Sequence, residues 1–168
     1  MFGRIVGEEM RLNECGRIAR TCWLEIPVHF PHVRLDSYVI MPNHAHGVLW
    51  IMETPAGVEA SVEVPVGAQH AAPLRRARAP APGSLGTIVR SFKSAVSKGI
   101  RESGGAARVA IWQRNYFEHI IRNDDALHRI REYITNNPAR WSLDRENPDR
   151  TGPDDFDQWL DTQTQPSE

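Results

Sequence analysis

The stretch Val33-Arg-Leu-Asp-Ser-Tyr-Val-Ile-Met-Pro-Asn-His-Ala-His-Gly-Val-Leu-Trp-Ile-Met52 decides how the chain is read. Its first part alternates, with Val33, Leu35, Ser37 and Val39 on one face. It is also enriched in Tyr38, Val39 and Ile40, which predicts a strand over 33–41. Pro42 and Asn43 supply a turn. Ala45 to Met52, carrying Val48, Leu49, Trp50 and Ile51, reads as a second strand. Two strands joined by so short a turn make an antiparallel hairpin. At its bend lie His44 and His46, which point to the same face of a strand because they are two residues apart. Two imidazoles placed this way can converge on one divalent ion.

Outward from the hairpin, helical spacing takes over. Leu12 to about Phe30 reads as a helix, with Asn13 as N-cap and Ile18, Cys22, Trp23 and Ile26 on one face. Ser84 to about Arg101 reads as a second helix, capped by Ser84 and lined by Leu85, Ile88, Val89, Phe92, Ala95, Val96 and Ile100. Ser103-Gly104-Gly105 ends it. Val109 to about Ile121 reads as a third strand. Asn123-Asp124-Asp125 opens a last helix, with acids placed to complement the helix dipole. That helix carries Leu127, Ile130, Tyr133 and Ile134 and stops at Pro138. Tyr133 and Asn137 share one of its faces. A tyrosine hydroxyl can act as a nucleophile, and an amide oxygen one turn later can complete a metal site. The same pair also suits a core tyrosine and an asparagine that merely ends a helix.

The 168 residues suit one domain, at 40% hydrophobic and 24% charged, the balance of an ordinary globular protein. Cys15 and Cys22 provide neither a disulfide scaffold nor the paired spacing of a zinc site. No apolar run approaches the roughly 18 residues of a membrane helix, and no basic-then-apolar leader opens the chain. These features predict a cytoplasmic protein without a membrane partner. The net charge of −1 conceals an asymmetry. Arg75, Arg76, Arg78, Arg90, Lys93, Lys98, Arg101, Arg108 and Arg114 fall in a stretch whose one acid is Glu102, while eight acids and two arginines fill Asp144 to Glu168. A basic stretch is an expected footprint of nucleic-acid binding, and equally of a solvated segment. Residues 54–83, rich in Pro, Ala, Gly and Val, read as a disordered insertion. Residues 142–168 read as an acidic, partly disordered tail.

Four strings appear in order: Tyr38-Val-Ile-Met-Pro-Asn-His-Ala-His46, Ile111-Trp-Gln-Arg114, Tyr116-Phe-Glu-His-Ile-Ile-Arg122 and Arg131-Glu-Tyr-Ile-Thr-Asn-Asn-Pro138. Together they resemble the single-tyrosine HUH transposases, in particular the REP-associated tyrosine transposases of the insertion-sequence-200 type. The resemblance runs from Phe2 to Pro138 around the insertion. It implies an α+β, ferredoxin-like αβ sandwich with an antiparallel sheet and a C-terminal catalytic helix. Residues 1–53 would form the first half of that domain and 84–141 the second. Relatives carry a strand before the point matching Phe2, so the resemblance implies a chain truncated at its N-terminus, with that first strand missing.

The resemblance also implies a chemistry. Tyr133 would be the nucleophile, and His44, His46 and Asn137 would hold Mg²⁺ or Mn²⁺. The reaction would cleave and rejoin single-stranded or hairpin DNA through a covalent 5′-phosphotyrosine. Arg90, Lys93, Arg114 and Arg122 are candidates for phosphate contacts, and Trp112 or Tyr116 for stacking a base. The setting would be nucleoid-associated, and the tyrosine would act within one subunit or across a homodimer. The alternative is a decayed, catalytically inactive relative that grips hairpin DNA.

Overall fold

A computed structural model describes residues 1–52, 81, 83–104, 111–113 and 115–164. The predicted insertion at 54–83 therefore lies almost wholly outside the described residues, as does Arg114. The chain is α+β, as its sequence predicts, and among the described residues the strands form two separate antiparallel pairs.

The first pair joins β1 (Gly3–Val6) to β2 (Glu9–Leu12). The two loop residues, Gly7 and Glu8, both have positive φ, at 56° and 64°. That is the combination a two-residue turn needs to match the twist of its flanking strands. Phe2 precedes β1 and is 2% exposed. Its N–H donates to the Pro42 carbonyl (2.7 Å), and its own carbonyl accepts from the Asn13 N–H (3.0 Å). The N-terminus thus braces the Pro42–Asn43 turn from behind.

Helix α1 (Glu14–Leu24) begins as the sequence predicts, with the Asn13 side chain accepting from the Gly16 N–H at 3.0 Å. It ends earlier than the predicted Phe30. Pro27 has no N–H to offer the Trp23 carbonyl, so the chain stops at Leu24 and restarts as the single turn α2 (Ile26–His29), with the proline in its first turn.

β3 (Val33–Ile40) and β4 (Ala45–Ile51) form the predicted hairpin. The Met41 N–H closes its turn on the His44 carbonyl at 2.9 Å. The register shifts between Leu35 and Tyr38, and this irregularity changes which residues share a face. Val33, Leu35, Tyr38 and Ile40 all pack into one core cluster, and Val39 goes to the other. The uninterrupted alternation from Val33 to Val39 is thereby corrected. Asp36 and Ser37 sit in the irregular stretch, where the Ser37 N–H turns back onto the Asp36 carboxylate at 2.7 Å.

The hairpin is covered on both faces. On one, α1 and α3 (Leu85–Glu102) contribute Ala19, Trp23, Ile88, Phe92, Val96 and Ile100 to a cluster that includes Phe2, Val33 and Ile40. Ser84 occupies the N-cap position of α3, but its hydroxyl donates to the Ala81 carbonyl rather than capping the helix. On the other face, Val48 meets Leu127, Ile130, Tyr133 and Ile134 of α4 (Asp124–Asn136), and Phe156 and Leu160 of α5 (Asp155–Thr164). Asn123 caps α4 as predicted, accepting from the Ala126 N–H at 2.8 Å.

The predicted third strand is absent among its described residues, 111–113 and 115–121. Lys93 takes up the carbonyls of Gln113 (3.3 Å) and Asn115 (2.7 Å). Asn115 also adopts a φ of 66°, which breaks an extended run. No helix among the described residues is long and apolar enough to cross a membrane.

Candidate functional site

β4 alternates, so His46 and Val48 face α4 while Ala45 and Leu49 face the other cluster. His44 precedes the strand on the same side as His46. Their Nε2 atoms lie 2.8 Å apart, and their rings meet edge to face with centroids 4.5 Å apart. From α4, Tyr133 reaches the same spot, its ring centroid 5.3 Å from that of His46. One turn on, Asn137 is fully buried. The structure thus brings together His44, His46, Tyr133 and Asn137, the four residues singled out for catalysis and metal binding.

It adds a fifth, Asp144, from the segment after α4. This carboxylate is 1% exposed. Its Oδ2 lies 3.5 Å from His44 Nε2 and 3.9 Å from His46 Nε2, and accepts from Asn137 Nδ2 at 3.0 Å. Its Oδ1 accepts from the Glu146 N–H at 2.7 Å. One ligand atom from each of His44, His46 and Asp144 falls within 4.8 Å of the others. Sequence reading missed Asp144 because it lies in an acid-rich run that suggests a solvated tail. The available signal was local: Trp141 and Leu143 beside it are apolar residues in a polar stretch.

Burial sets the direction at His44 and Tyr133, and hydrogen bonds and neighbouring imidazoles set it at Asp144. The His44 imidazole is pushed down to about 4, by burial first and then by the neighbouring His46. Burial raises the Asp144 carboxyl, but the imidazoles of His46 and His44 and the Asn137 amide outweigh it and hold it at about 2. The Tyr133 phenol is raised well above its ordinary value, chiefly by burial and then by Asp144, Asp157 and Asp154. Phe156 lies parallel to its ring at 3.7 Å, with 8° between the planes.

The donor set fits a divalent cation. Two imidazoles and a carboxylate converge on one small volume, a combination suited to first-row divalent metals. Buried Asn137 Oδ1 has no hydrogen-bond partner among the described residues, an unusual state for a buried polar atom and one that a ligand would relieve.

The other singled-out residues stand apart from this cluster. Arg90 is exposed on α3, and Arg122 is exposed ahead of α4. Lys93 is half-buried on its carbonyl partners, and burial lowers its pKa. Trp112 packs between Phe2 (5.2 Å) and Phe92 (5.5 Å), and its indole N–H donates to the Lys93 carbonyl. Tyr116 is 43% exposed. Arg114 lies outside the described residues.

A protein of Haemophilus influenzae, described as an uncharacterised protein, is 40% identical over 148 residues, which cover 86% of this chain and 76% of that protein. The chain belongs to the same family as that protein. No family model and no solved structure matches it.

Proposed function

We propose that the protein is a metal-dependent DNA strand transferase that cleaves and rejoins single-stranded or hairpin DNA through Tyr133. The observation that carries this reading is the meeting of Tyr133 and Asn137, four residues apart on α4, with the His44–His46 pair of the hairpin and with Asp144. A bound Mg²⁺ or Mn²⁺ would supply charge stabilisation to a phosphodiester oxygen. His44, His46 and Asp144 would hold it, with Asn137 beside them, its Nδ2 donating to Asp144 Oδ2. The Tyr133 hydroxyl would attack phosphorus. The P–O3′ bond breaks as the Tyr–O–P bond forms, and the 3′-oxygen leaves as a hydroxyl, balancing the proton the phenol gives up. One phosphodiester is exchanged for another, so a 3′-hydroxyl can later reseal the strand without a nucleotide cofactor. Exposed Arg90 and Arg122 are available to phosphates, and Tyr116 to a base.

One observation favours a second reading, a module that grips hairpin DNA without cutting it. Tyr133 is 6% exposed and lies under Phe156, and its phenol resists deprotonation. Incubation with labelled hairpin DNA and Mn²⁺ followed by a denaturing gel separates the two. The transferase yields a covalent adduct that Tyr133→Phe abolishes while leaving DNA retention intact. Retention with no adduct in either protein establishes the binding module.

A further inference from the structure

The amide of Asn43 connects two parts of the site. Its Nδ2 donates to the Glu146 carbonyl at 2.6 Å, and its Oδ1 lies 2.8 Å from His44 Nδ1. The orientation of this amide is forced. Turned over, it would set two acceptor oxygens 2.6 Å apart at Glu146, with no proton between them. Oδ1 therefore faces His44, and because an amide oxygen only accepts, the proton between them belongs to Nδ1. A neutral imidazole protonated at Nδ1 carries its lone pair on Nε2. That atom faces His46 Nε2 at 2.8 Å and Asp144 Oδ2 at 3.5 Å.

The same amide reaches the segment that supplies the carboxylate. Glu146, whose carbonyl it holds, donates its own N–H to Asp144 Oδ1 at 2.7 Å. A single side chain thus contacts one candidate ligand and the segment that carries another.

We propose that Asn43 is a positioning residue that locks His44 as the Nδ1–H tautomer and pins the Asp144 segment to the histidine turn. The proposal rests on the metal reading of the site, but its first half is measurable without metal. Partners of this kind, hydrogen-bonded to the far nitrogen of a ligating histidine, change metal affinity 10–100-fold when removed.

The test uses the whole chain with ¹⁵N-labelled histidine. Long-range ¹H–¹⁵N spectra of the metal-free protein report the tautomer, and His44→Gln identifies the signals. His44 is expected to show a protonated Nδ1 and a bare Nε2. Asn43→Ala should shift it toward a mixture of tautomers and weaken Mn²⁺ binding, followed by electron paramagnetic resonance, by about 10–100-fold. Asn43→Asp keeps an acceptor for Nδ1–H but loses the donor to Glu146. It should retain the tautomer and still bind Mn²⁺ more weakly, and it serves if the alanine variant does not fold. Wild-type His44 protonated at Nε2 overturns the proposal. So does an alanine variant with the wild-type tautomer and an Mn²⁺ affinity within about twofold of wild type, well inside the range expected for such a partner. A wild-type chain that shows the expected tautomer but takes up no Mn²⁺ overturns the metal reading while supporting the lock on His44.

Discussion

Replacing Gly47 with alanine tests the two-faced packing of β4. A Cβ built on Gly47 would lie 2.2 Å from Cζ2 and 2.5 Å from Cη2 of Trp23, where carbon atoms pack at about 3.5–4.0 Å. More than an ångström must therefore be absorbed. Trp23 has little room to yield, since it stacks on Tyr38 at 5.9 Å and meets Phe92 edge-on at 5.4 Å. Overpacking of this kind costs about 1–3 kcal/mol, and a rigid indole between two rings puts it near the top of that range. The lost freedom of glycine in the unfolded chain returns about 0.4–1 kcal/mol. The net expectation is a loss of about 2 kcal/mol, or about 4–8 °C in melting temperature for a chain of this size. Calorimetry and urea titration measure it. The partner experiment is Trp23→Phe, which removes the ring atoms that collide. In that background Gly47→Ala should cost at least about 1 kcal/mol less than in wild type, the coupling expected of residues in contact. A Gly47→Ala protein melting within about one degree of wild type would refute the packing assigned to this face.

Further expectations concern the site and its supports. Burial lowers the folded-state pKa of His44 from 6.5 to about 4, so in the metal-free protein the unfolded chain takes up the proton first. Stability should be level above about pH 6.5 and fall toward pH 4, by on the order of 3 kcal/mol. Thermal melts across this range should show the slope, and His44→Gln should remove it. Asp144→Asn should reduce Mn²⁺ affinity at least about tenfold with the fold retained. Asp144→Ala should also cost stability, about 1–3 kcal/mol for each buried donor it strands, because Asn137 Nδ2 and the Glu146 N–H both lose their acceptor; titration calorimetry and melts read the two effects. Arg131 grips Asp36 through two bonds, at 2.8 and 2.5 Å, and holds its carboxyl well below the usual carboxylate range. The stability this pair provides is present above the ordinary carboxylate pKa and lost as the pH falls below it. Asp36→Asn should lower the melting temperature at neutral pH and lose that acid-side decline.

Much of this was legible in local sequence because local rules decided it. Asn13 and Asn123 cap their helices as side-chain acceptors must, and Pro42-Asn43 turns the hairpin that presents His44 and His46. The four-residue spacing of Tyr133 and Asn137 put both on one face of α4, and the family resemblance joined them to the histidine pair. What escaped depended on contacts distant in sequence or on a break in period. The Leu35–Tyr38 register shift is invisible to alternation, since Asp36 and Ser37 alone do not reveal which strand face follows them. Val109 to about Ile121 reads as a strand by composition, but Lys93 draws on the carbonyls of Gln113 and Asn115 within it. Asp144 and Asp154 look solvated among their acidic neighbours. They are buried because Asn137 and Arg140, respectively, meet them in three dimensions.

The span between Asn43 and Glu146, 103 residues, bears on when the site can exist during synthesis. The β3–β4 hairpin is local and can close soon after it leaves the ribosome. The carboxylate cannot arrive until nearly all the intervening chain has been made, and contacts closed over so long a loop form late. A nascent or prematurely ended chain therefore displays two histidines with neither the acid nor the helix that complete them. Whatever the assembled site does therefore waits on chain beyond Asp144.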